Sequence, residues 1–208
     1  MLLNYSDLQT TEQSVRTTFI NALSGYKSLH LVGTCNALGQ LNVAPFSNVV
    51  HVGADPALMG FVHRPTTVER HTYENIVETK QFTFNAVAQE MQLTAHQCSA
   101  RYSRNQSEFL EVGLESEFMG DFIAPFVSHS PIQIGLHLEE IHHLSNGTHF
   151  IVGSVQLLQI NDKLIDVAGN MDLSQLDLVA VSGLDTYYST AFLNRLEYAK
   201  PNVPLNTK

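Results

Sequence analysis

The sequence predicts one domain built mainly of β-strands, with helices packed around them. Five to seven short segments alternate apolar and polar residues in the manner of strands. Turn signals such as Asn-Gly join neighbouring segments as hairpins. Apolar residues make up 44% and charged residues 15% of 208 residues, which is enough for a sizeable core. Together these features favour an antiparallel β-barrel decorated with helices, without an internal repeat or linker.

The first third of the chain predicts a helix followed by a hairpin and a third strand. Val15, Phe19, Ile20 and Leu23 recur at helical spacing, and Ser24-Gly25 ends the pattern. The expected elements are a helix at 7–23, strands at 28–35 and 41–52 around a turn at 36–40, and a strand at 57–63.

The middle of the chain predicts a helix at 72–80 and a strand at 81–87. Thr72 is the expected N-cap, and an earlier start is possible because Thr66 and Glu69 have capping-box spacing. The remaining predictions are a helical stretch at 89–101, loops with short helical turns over 102–128, a long hairpin of 132–144 and 148–160 turning at Asn146-Gly147, and a final helix at 189–199.

Composition argues against several classes of partner. The formal net charge is −9 and no basic run is present, which argues against nucleic acid or an anionic membrane as the main partner. No apolar run approaches the roughly 20 residues that span a bilayer. Residues 1–25 resemble neither a signal nor a transit peptide. Cys35 and Cys98 lack metal-site spacing, so we expect reduced thiols in a cytoplasmic protein.

The segment "FVHRPTTVERHT" at 61–72 gathers positive charge in an otherwise acidic chain. His63, Arg64, Arg70 and His71 lie within nine residues, and Thr72 stands where a helix begins. A helix N-terminus offers free N–H groups and partial positive charge, which suits a phosphate. The same residues are compatible with a solvated loop between a strand and a helix.

The segment "APFSN" at 44–48 interrupts a strand with a proline. Proline inside a sheet belongs at an edge or a bulge, and a bulge would turn backbone N–H groups toward a ligand. A flat heteroaromatic ring with carbonyl and ring-nitrogen acceptors would suit such donors. A kinked edge strand without a ligand is the alternative.

The second hairpin is rich in histidine, at positions 137, 142, 143 and 149. His137, Glu139 and His143 share one face of a regular strand, so a metalloprotein is one hypothesis. None of these pairs has a strong metal-site spacing, and we predict exposed or hydrogen-bonded histidines without a metal. The sequence also lacks a G-x-S-x-G nucleophile motif.

Taken in order, these segments resemble the flavin reductase-like family, whose members bind FMN on a split β-barrel. The resemblance rests on "GQLNVAPFSNVVHVGADPALMGFV", "RHTYENIVETKQFTFN", "SPIQIGLHLEEI", "HFIVGSVQLLQI" and "GLDTYY". It covers roughly residues 20–200 and implies a single antiparallel, Greek-key-like domain over 1–208.

The resemblance also implies roles for individual residues. Its flavin ring and ribityl chain would be lined by Ala44, Pro45, Phe46, Ser47 and Asn48. Its phosphate would be held by Arg70, His71 and Thr72, with help from His63 and Arg64 and with Asn85 close by. His71 stands where the family often has aspartate, and an imidazole can still donate to phosphate.

The implied activity is an oxidoreductase that passes hydride from NADH or NADPH to FMN. The electron acceptor would be free flavin, a ferric chelate or a partner monooxygenase, and the chain would form a homodimer. No catalytic acid, base or nucleophile is expected, because the cofactor carries the chemistry. The alternative is a non-catalytic flavoprotein that transfers electrons between protein partners without NAD(P)H.

Overall fold

The computed structural model describes residues 2–205 and 207. Within them the strands are β1 Lys27–Ser28, β2 His30–Cys35, β3 Leu41–Phe46, β4 Val49–Ala54, β5 Ala57–His63, β6 Gln81–Ala86, β7 Ser116–Glu117, β8 Phe126–Val127, β9 Ile132–His143, β10 His149–Ile160, β11 Val179–Ser182 and β12 Thr186–Ser189. The α-helices are α1 Tyr5–Thr10, α2 Gln13–Ala22, α3 His71–Thr79, α4 Gln92–Gln97 and α5 Glu108–Glu111.

Seven strands form the main sheet in the order β3-β2-β6-β9-β10-β5-β4, and every neighbouring pair is antiparallel. Strands β3 and β4 follow each other in the chain, yet they lie at opposite ends of this order. The sheet curls so that its ends approach, because Phe46 on β3 packs against Phe61 on β5 with ring centroids 4.8 Å apart. The mainly antiparallel barrel predicted from the sequence is confirmed.

Aromatic side chains fill the barrel interior. Phe61, Phe82 and Phe84 are fully buried and contact one another with centroid distances of 5.4–5.8 Å. Ile76 of α3 belongs to the same cluster and is also fully buried. Helix α3 therefore packs on this core and is fixed by it. A second cluster lies on the other side of β2 and β3, where α4, α5 and β11 contribute apolar residues.

The predicted helix at 7–23 is two helices, and the predicted helix at 189–199 is absent. Glu12 separates α1 from α2, since its carboxylate accepts the N–H groups of Ser14 and Val15 and caps α2. After Ser189 the described chain is irregular, with one isolated bridge at Leu196. Its apolar residues Phe192 and Leu193 are 67% and 90% exposed, so a helix there would bury no apolar face.

The predicted strand at 41–52 is also two elements, divided at Ser47 and Asn48. The predicted stretch at 89–101 contains a 3-10 turn over Gln89–Met91 followed by α4. The long hairpin is confirmed, with Gly147 at φ 81° in its turn. No described helix is long and apolar enough to cross a bilayer.

Candidate functional site

The break between β3 and β4, at residues 47 and 48, lies where the chain passes from one edge strand of the main sheet to the other. Strand β3 has only β2 as a neighbour in this sheet, so the missing N–H of Pro45 interrupts no ladder beyond it. Pairing continues past Pro45 to Phe46, which lies opposite His30. The edge position predicted for Pro45 is confirmed. Pro45 does not interrupt the pairing as the sequence suggested, and the register shift lies further on, between His51 and Gly53.

Two side chains of the 44–48 segment have structural partners. The Phe46 ring packs against Phe61 and lies 5.9 Å from the His63 ring. The Asn48 amide donates to the carbonyl of Val62 at 2.8 Å and accepts the Val62 N–H at 3.2 Å. These contacts replace a pair of ladder hydrogen bonds where β4 has not yet begun. Both side chains therefore hold the break in place, and the expectation that they also face a ligand stays a prediction.

Ser47 differs from its neighbours, because neither its hydroxyl nor its N–H has a partner within the described residues. It is half-buried, as are Ala44 and Pro45. A half-buried donor without an internal acceptor is available to a ligand. Ser47 is thus the polar group of the segment that the fold leaves unused.

The N-terminus of α3 is a second place with unused donors. Its N-cap is Arg70, which makes no side-chain capping bond, so the predicted caps at Thr72 and Thr66 are wrong. The N–H of Arg70 donates to the Glu74 carboxylate at 3.0 Å. The next three N–H groups, of residues 71–73, have no acceptor among the described residues. An open helix N-terminus of this kind attracts anions.

A buried polar network fixes this end of α3 to the β2–β3 hairpin. The Asn42 amide donates to the hydroxyls of Thr34 and Thr72, each at 3.1 Å. Asn75 donates to the same Thr34 hydroxyl at 3.1 Å. Thr72 is 5% exposed, so its hydroxyl is committed to the fold and its backbone N–H is the group left for a ligand.

Aromatic contacts bring the break and the helix together. His63, at the end of β5, lies 5.9 Å from Phe46 on one side and 5.5 Å from Tyr73 of α3 on the other. The sequence separates residues 44–48 from residues 70–73 by more than twenty positions. The barrel places them on either side of one buried imidazole.

A family model described as "Flavin reductase like domain" matches residues 24–170. The chain belongs to the flavin reductase-like family. It is 42% identical to a split-barrel protein of Shewanella frigidimarina NCIMB 400 that is itself a candidate flavin reductase, with a TM-score of 0.91 over 96% of this chain and 100% of that one.

Two more distant structures share the fold. Component B of nitrilotriacetate monooxygenase from Bacillus cereus is 16% identical, with a TM-score of 0.82 over 93% of this chain and 96% of that chain. The FMN-binding protein of Thermus thermophilus is 19% identical, with a TM-score of 0.66 over 80% of this chain and 87% of that chain. The split barrel expected from the resemblance is thereby confirmed.

His63 and Arg64 occupy different environments in this flavin reductase-like chain. His63 is 3% exposed, and its Nδ1 lies 2.7 Å from the carbonyl oxygen of Arg64. Burial lowers the pKa of His63 to about 4, with Arg70 acting in the same direction, so the imidazole is neutral at pH 7. The expected help of His63 at a phosphate stays a prediction, and a neutral imidazole would take part in it through a hydrogen bond rather than through charge. Arg64 is exposed at the surface.

Asn85 is fully buried and its hydrogen bonds are made inside the barrel. Its amide donates to the Leu31 carbonyl at 3.0 Å and to the Thr83 hydroxyl at 2.9 Å. Its side-chain oxygen accepts the N–H of Val127 at 2.9 Å. Asn85 therefore joins β6 to β2 and β8, and its proximity to a cofactor stays a prediction.

Sequence reasoning missed Arg104, which reaches the first turn of α3 from the loop between α4 and α5. Its Nε lies 3.2 Å from Glu69, its guanidinium also pairs with Glu74, and Nη1 lies 3.4 Å from the Asn75 oxygen. No motif marks this arginine, and only the tertiary structure distinguishes it from the exposed Arg101 nearby.

The histidines of the long hairpin divide into separate local contacts. His137 lies 3.2 Å from the Gln81 amide, and His142 pairs with Glu140 at 2.8 Å. His143 and His149 approach through their Nδ1 atoms at 2.8 Å. Within residues 2–205 and 207, no group of three histidine, cysteine or acidic residues is arranged to hold a metal ion.

Proposed function

We propose that this chain binds FMN across the β3–β4 break and the N-terminus of α3, and that it works as an NAD(P)H-dependent FMN oxidoreductase. The observation that carries the proposal is that two sets of hydrogen-bond donors have no acceptor within the described protein. Ser47 offers a hydroxyl and an N–H at the break, and α3 offers the N–H groups of residues 71–73. Each set suits one end of FMN, the ring with its carbonyl acceptors and the phosphate.

At the phosphate end, the residues present fit a phosphomonoester. The three N–H groups of residues 71–73 point out of the helix N-terminus, where the helix dipole favours negative charge. Arg70 is the N-cap of this helix, its Nε donates to the Pro65 carbonyl at 3.4 Å, and Arg64 lies on the same loop. Both arginines would add charge-assisted donors. His71, 15% exposed and paired with Glu69 at 3.5 Å, adds a ring nitrogen.

At the ring end, the protein contributes position rather than acid–base chemistry. Ser47 and the backbone of Ala44 and Pro45 would hold and orient the ring, while Phe46 and Asn48 keep the break rigid from behind. When bound, FMN supplies the redox chemistry by accepting hydride from NADH or NADPH. The task left to the chain is to present one ring face and to hold the phosphate.

Two finer parts of the proposal concern partners. Exposed apolar residues on α2, including Val15, Phe19 and Ile20, leave part of that helix unpartnered, which supports a homodimer. The structural neighbour from Bacillus cereus is one component of a monooxygenase, which supports a second protein as electron acceptor. We propose such an acceptor alongside free flavin and ferric chelates.

The test is the visible spectrum of the purified protein with FMN, followed by anaerobic titration with NADH and with NADPH. We expect FMN to bind, and we expect bleaching by one nucleotide faster than free FMN alone is bleached. Binding without bleaching by either nucleotide would instead indicate a flavoprotein that only transfers electrons between proteins. A protein that binds no flavin would refute the proposal.

The phosphate end is tested by Arg70→Gln, with Arg101→Gln as the matched control. Loss of one charge-assisted donor should weaken FMN binding by roughly 1.5–3 kcal/mol. Arg101 is exposed and the substitution removes the same charge from the chain, so FMN binding should not change. Equal effects of the two substitutions would show that only net charge matters.

A further inference from the structure

Arg104 lies against the proposed phosphate site without belonging to the segment that forms it. It is contributed by the loop before α5, some thirty residues after α3 begins. Its three partners, Glu69, Glu74 and Asn75, all flank the first turn of α3. The N–H groups of residues 71–73, which have no internal acceptor, belong to the same turn.

The space beside this arginine is too small for a phosphate. Arg104, His71, Asn42 and Asn75 line a cavity of about 10 Å³, together with Asn36, Gln40, Leu41 and Gln106. That volume is about the room that one water molecule requires. A phosphate group that entered this cavity would therefore need the Arg104 side chain to move.

The charges around the turn also oppose a phosphate unless Arg104 responds. Glu69 and Glu74 place two carboxylates beside the site, and Arg104 pairs with both. Hydrogen bonds from Arg104 and then from His71 hold the pKa of the Glu69 carboxyl below its usual range. A phosphate dianion arriving here would meet two carboxylates, and Arg104, which pairs with both of them, would not be free to bind it.

Exchange of partners costs Arg104 little. The side chains of Glu69 and Glu74 are 60% and 41% exposed, and ion pairs at such positions contribute little to stability because water solvates the separated charges. The guanidinium and a phosphate form parallel charge-assisted hydrogen bonds, which are stronger. Released carboxylates would turn to solvent, where they are already partly hydrated.

We propose that Arg104 is the movable cation of the phosphate site: it turns from Glu69 and Glu74 to the phosphate of FMN, and this exchange sets the preference for FMN over riboflavin. The inference rests on the proposed function, because it assumes that the phosphate occupies the N-terminus of α3. It assigns to Arg104 a role in specificity and none in hydride transfer.

The test compares FMN with riboflavin, which share the ring and differ in the phosphate. Dissociation constants would be measured by flavin fluorescence for the wild-type protein, Arg104→Gln, Arg104→Lys and Arg101→Gln. We expect Arg104→Gln to weaken FMN binding about tenfold and to change riboflavin binding less than twofold. Arg104→Lys should restore part of the difference, and Arg101→Gln should match the wild type.

Glu69→Gln gives a prediction of opposite sign. Removing a carboxylate that competes for Arg104 should strengthen FMN binding about threefold and leave riboflavin binding unchanged. If the Arg104–Glu69 pair only supports the fold, Glu69→Gln will weaken FMN binding or leave it unchanged, and the proposal is overturned. This variant alters an exposed side chain, so its result does not depend on whether Arg104→Gln folds.

The outcomes separate this inference from the proposed function. A wild-type protein that binds neither flavin refutes the proposed function and the inference with it. Equal affinity for FMN and riboflavin overturns the phosphate site and Arg104's role while leaving flavin binding intact. A wild-type preference for FMN that survives in Arg104→Gln overturns the inference alone.

Discussion

Polar residues around α3 and the β3–β4 break fall into two sets that differ in where their hydrogen bonds are made. In the first set, Asn48, Thr72 and Asn85 satisfy backbone or side-chain partners inside the protein. In the second, Ser47 and the N–H groups of residues 71–73 have no partner in the described chain. The difference teaches that residue type does not separate the two sets, whereas hydrogen-bonding capacity left unused inside the protein does.

Asn85→Ala tests the first set where its hydrogen bonds are most deeply buried. The substitution leaves the Leu31 carbonyl and the Val127 N–H buried without their present partner, which should lower the free energy of unfolding by about 3 kcal/mol. Urea unfolding measures the loss, with the exposed Asn105→Ala as control. The flavin affinity of the folded variant should stay unchanged. A clear loss of flavin affinity would indicate that Asn85 contributes to the flavin site.

His63 tests whether the imidazole between the two regions is a neutral part of the core. Its pKa of about 4 in the folded protein lies below the ordinary value of 6.5, so between these values the unfolded chain binds the proton more readily. The stability that His63 contributes is therefore present above about pH 6.5 and is lost as pH falls toward 4.

We expect acidification from pH 7 to pH 5 to remove about 2 kcal/mol of unfolding free energy through His63. In His63→Phe this part of the pH dependence should disappear, while His51→Gln, at an exposed position, should retain it. Equal pH dependence in His63→Phe and wild type would mean that His63 is protonated in the fold. It would then be a candidate ligand for the phosphate again.

Thr72→Val distinguishes a hydroxyl that supports the fold from one that binds a ligand. Sequence reasoning places the Thr72 hydroxyl at the phosphate, whereas the structure shows it accepting from Asn42. Removing it should cost about 1 kcal/mol of unfolding free energy and change FMN affinity less than threefold, because the backbone N–H remains. Chemical denaturation and FMN titration of the same variant give both quantities, and a large loss of affinity at unchanged stability would reverse the assignment.

Much of the fold could be predicted from the sequence because alternation and turn signals are local. The long hairpin, α3 and the strand after it have strong periodicity, and each was predicted near its observed bounds. The helix expected at 189–199 failed because apolar spacing does not reveal whether a surface exists to bury it. Pro45 drew attention to the break at Ser47, yet the sheet edge tolerates the proline and pairing continues one residue further, to Phe46.

The site could be predicted in outline only, since its decisive contacts join distant segments. The sequence indicates that 44–48 and 63–72 are unusual, and the structure brings them together around His63. It could not indicate that Thr72 points into the hairpin, that His63 is neutral, or that Arg104 arrives from another loop. Each of these depends on burial and on contacts with residues 30 or more positions away in sequence.

Ser47→Ala gives the smallest expected effect and the sharpest test of the second set. Its hydroxyl makes no internal hydrogen bond, so the unfolding free energy should not change, and Ser24→Ala at an exposed position is the control. Loss of one neutral hydrogen bond to the ring should weaken flavin binding about threefold.

Since FMN and riboflavin share the ring, Ser47→Ala should weaken the binding of both equally, in contrast to Arg70→Gln, which should weaken the binding of FMN alone. If Ser47→Ala loses stability and keeps its flavin affinity, Ser47 belongs to the first set, with Asn48 and Thr72. A side chain without an internal hydrogen bond would then not mark the ring end of the site.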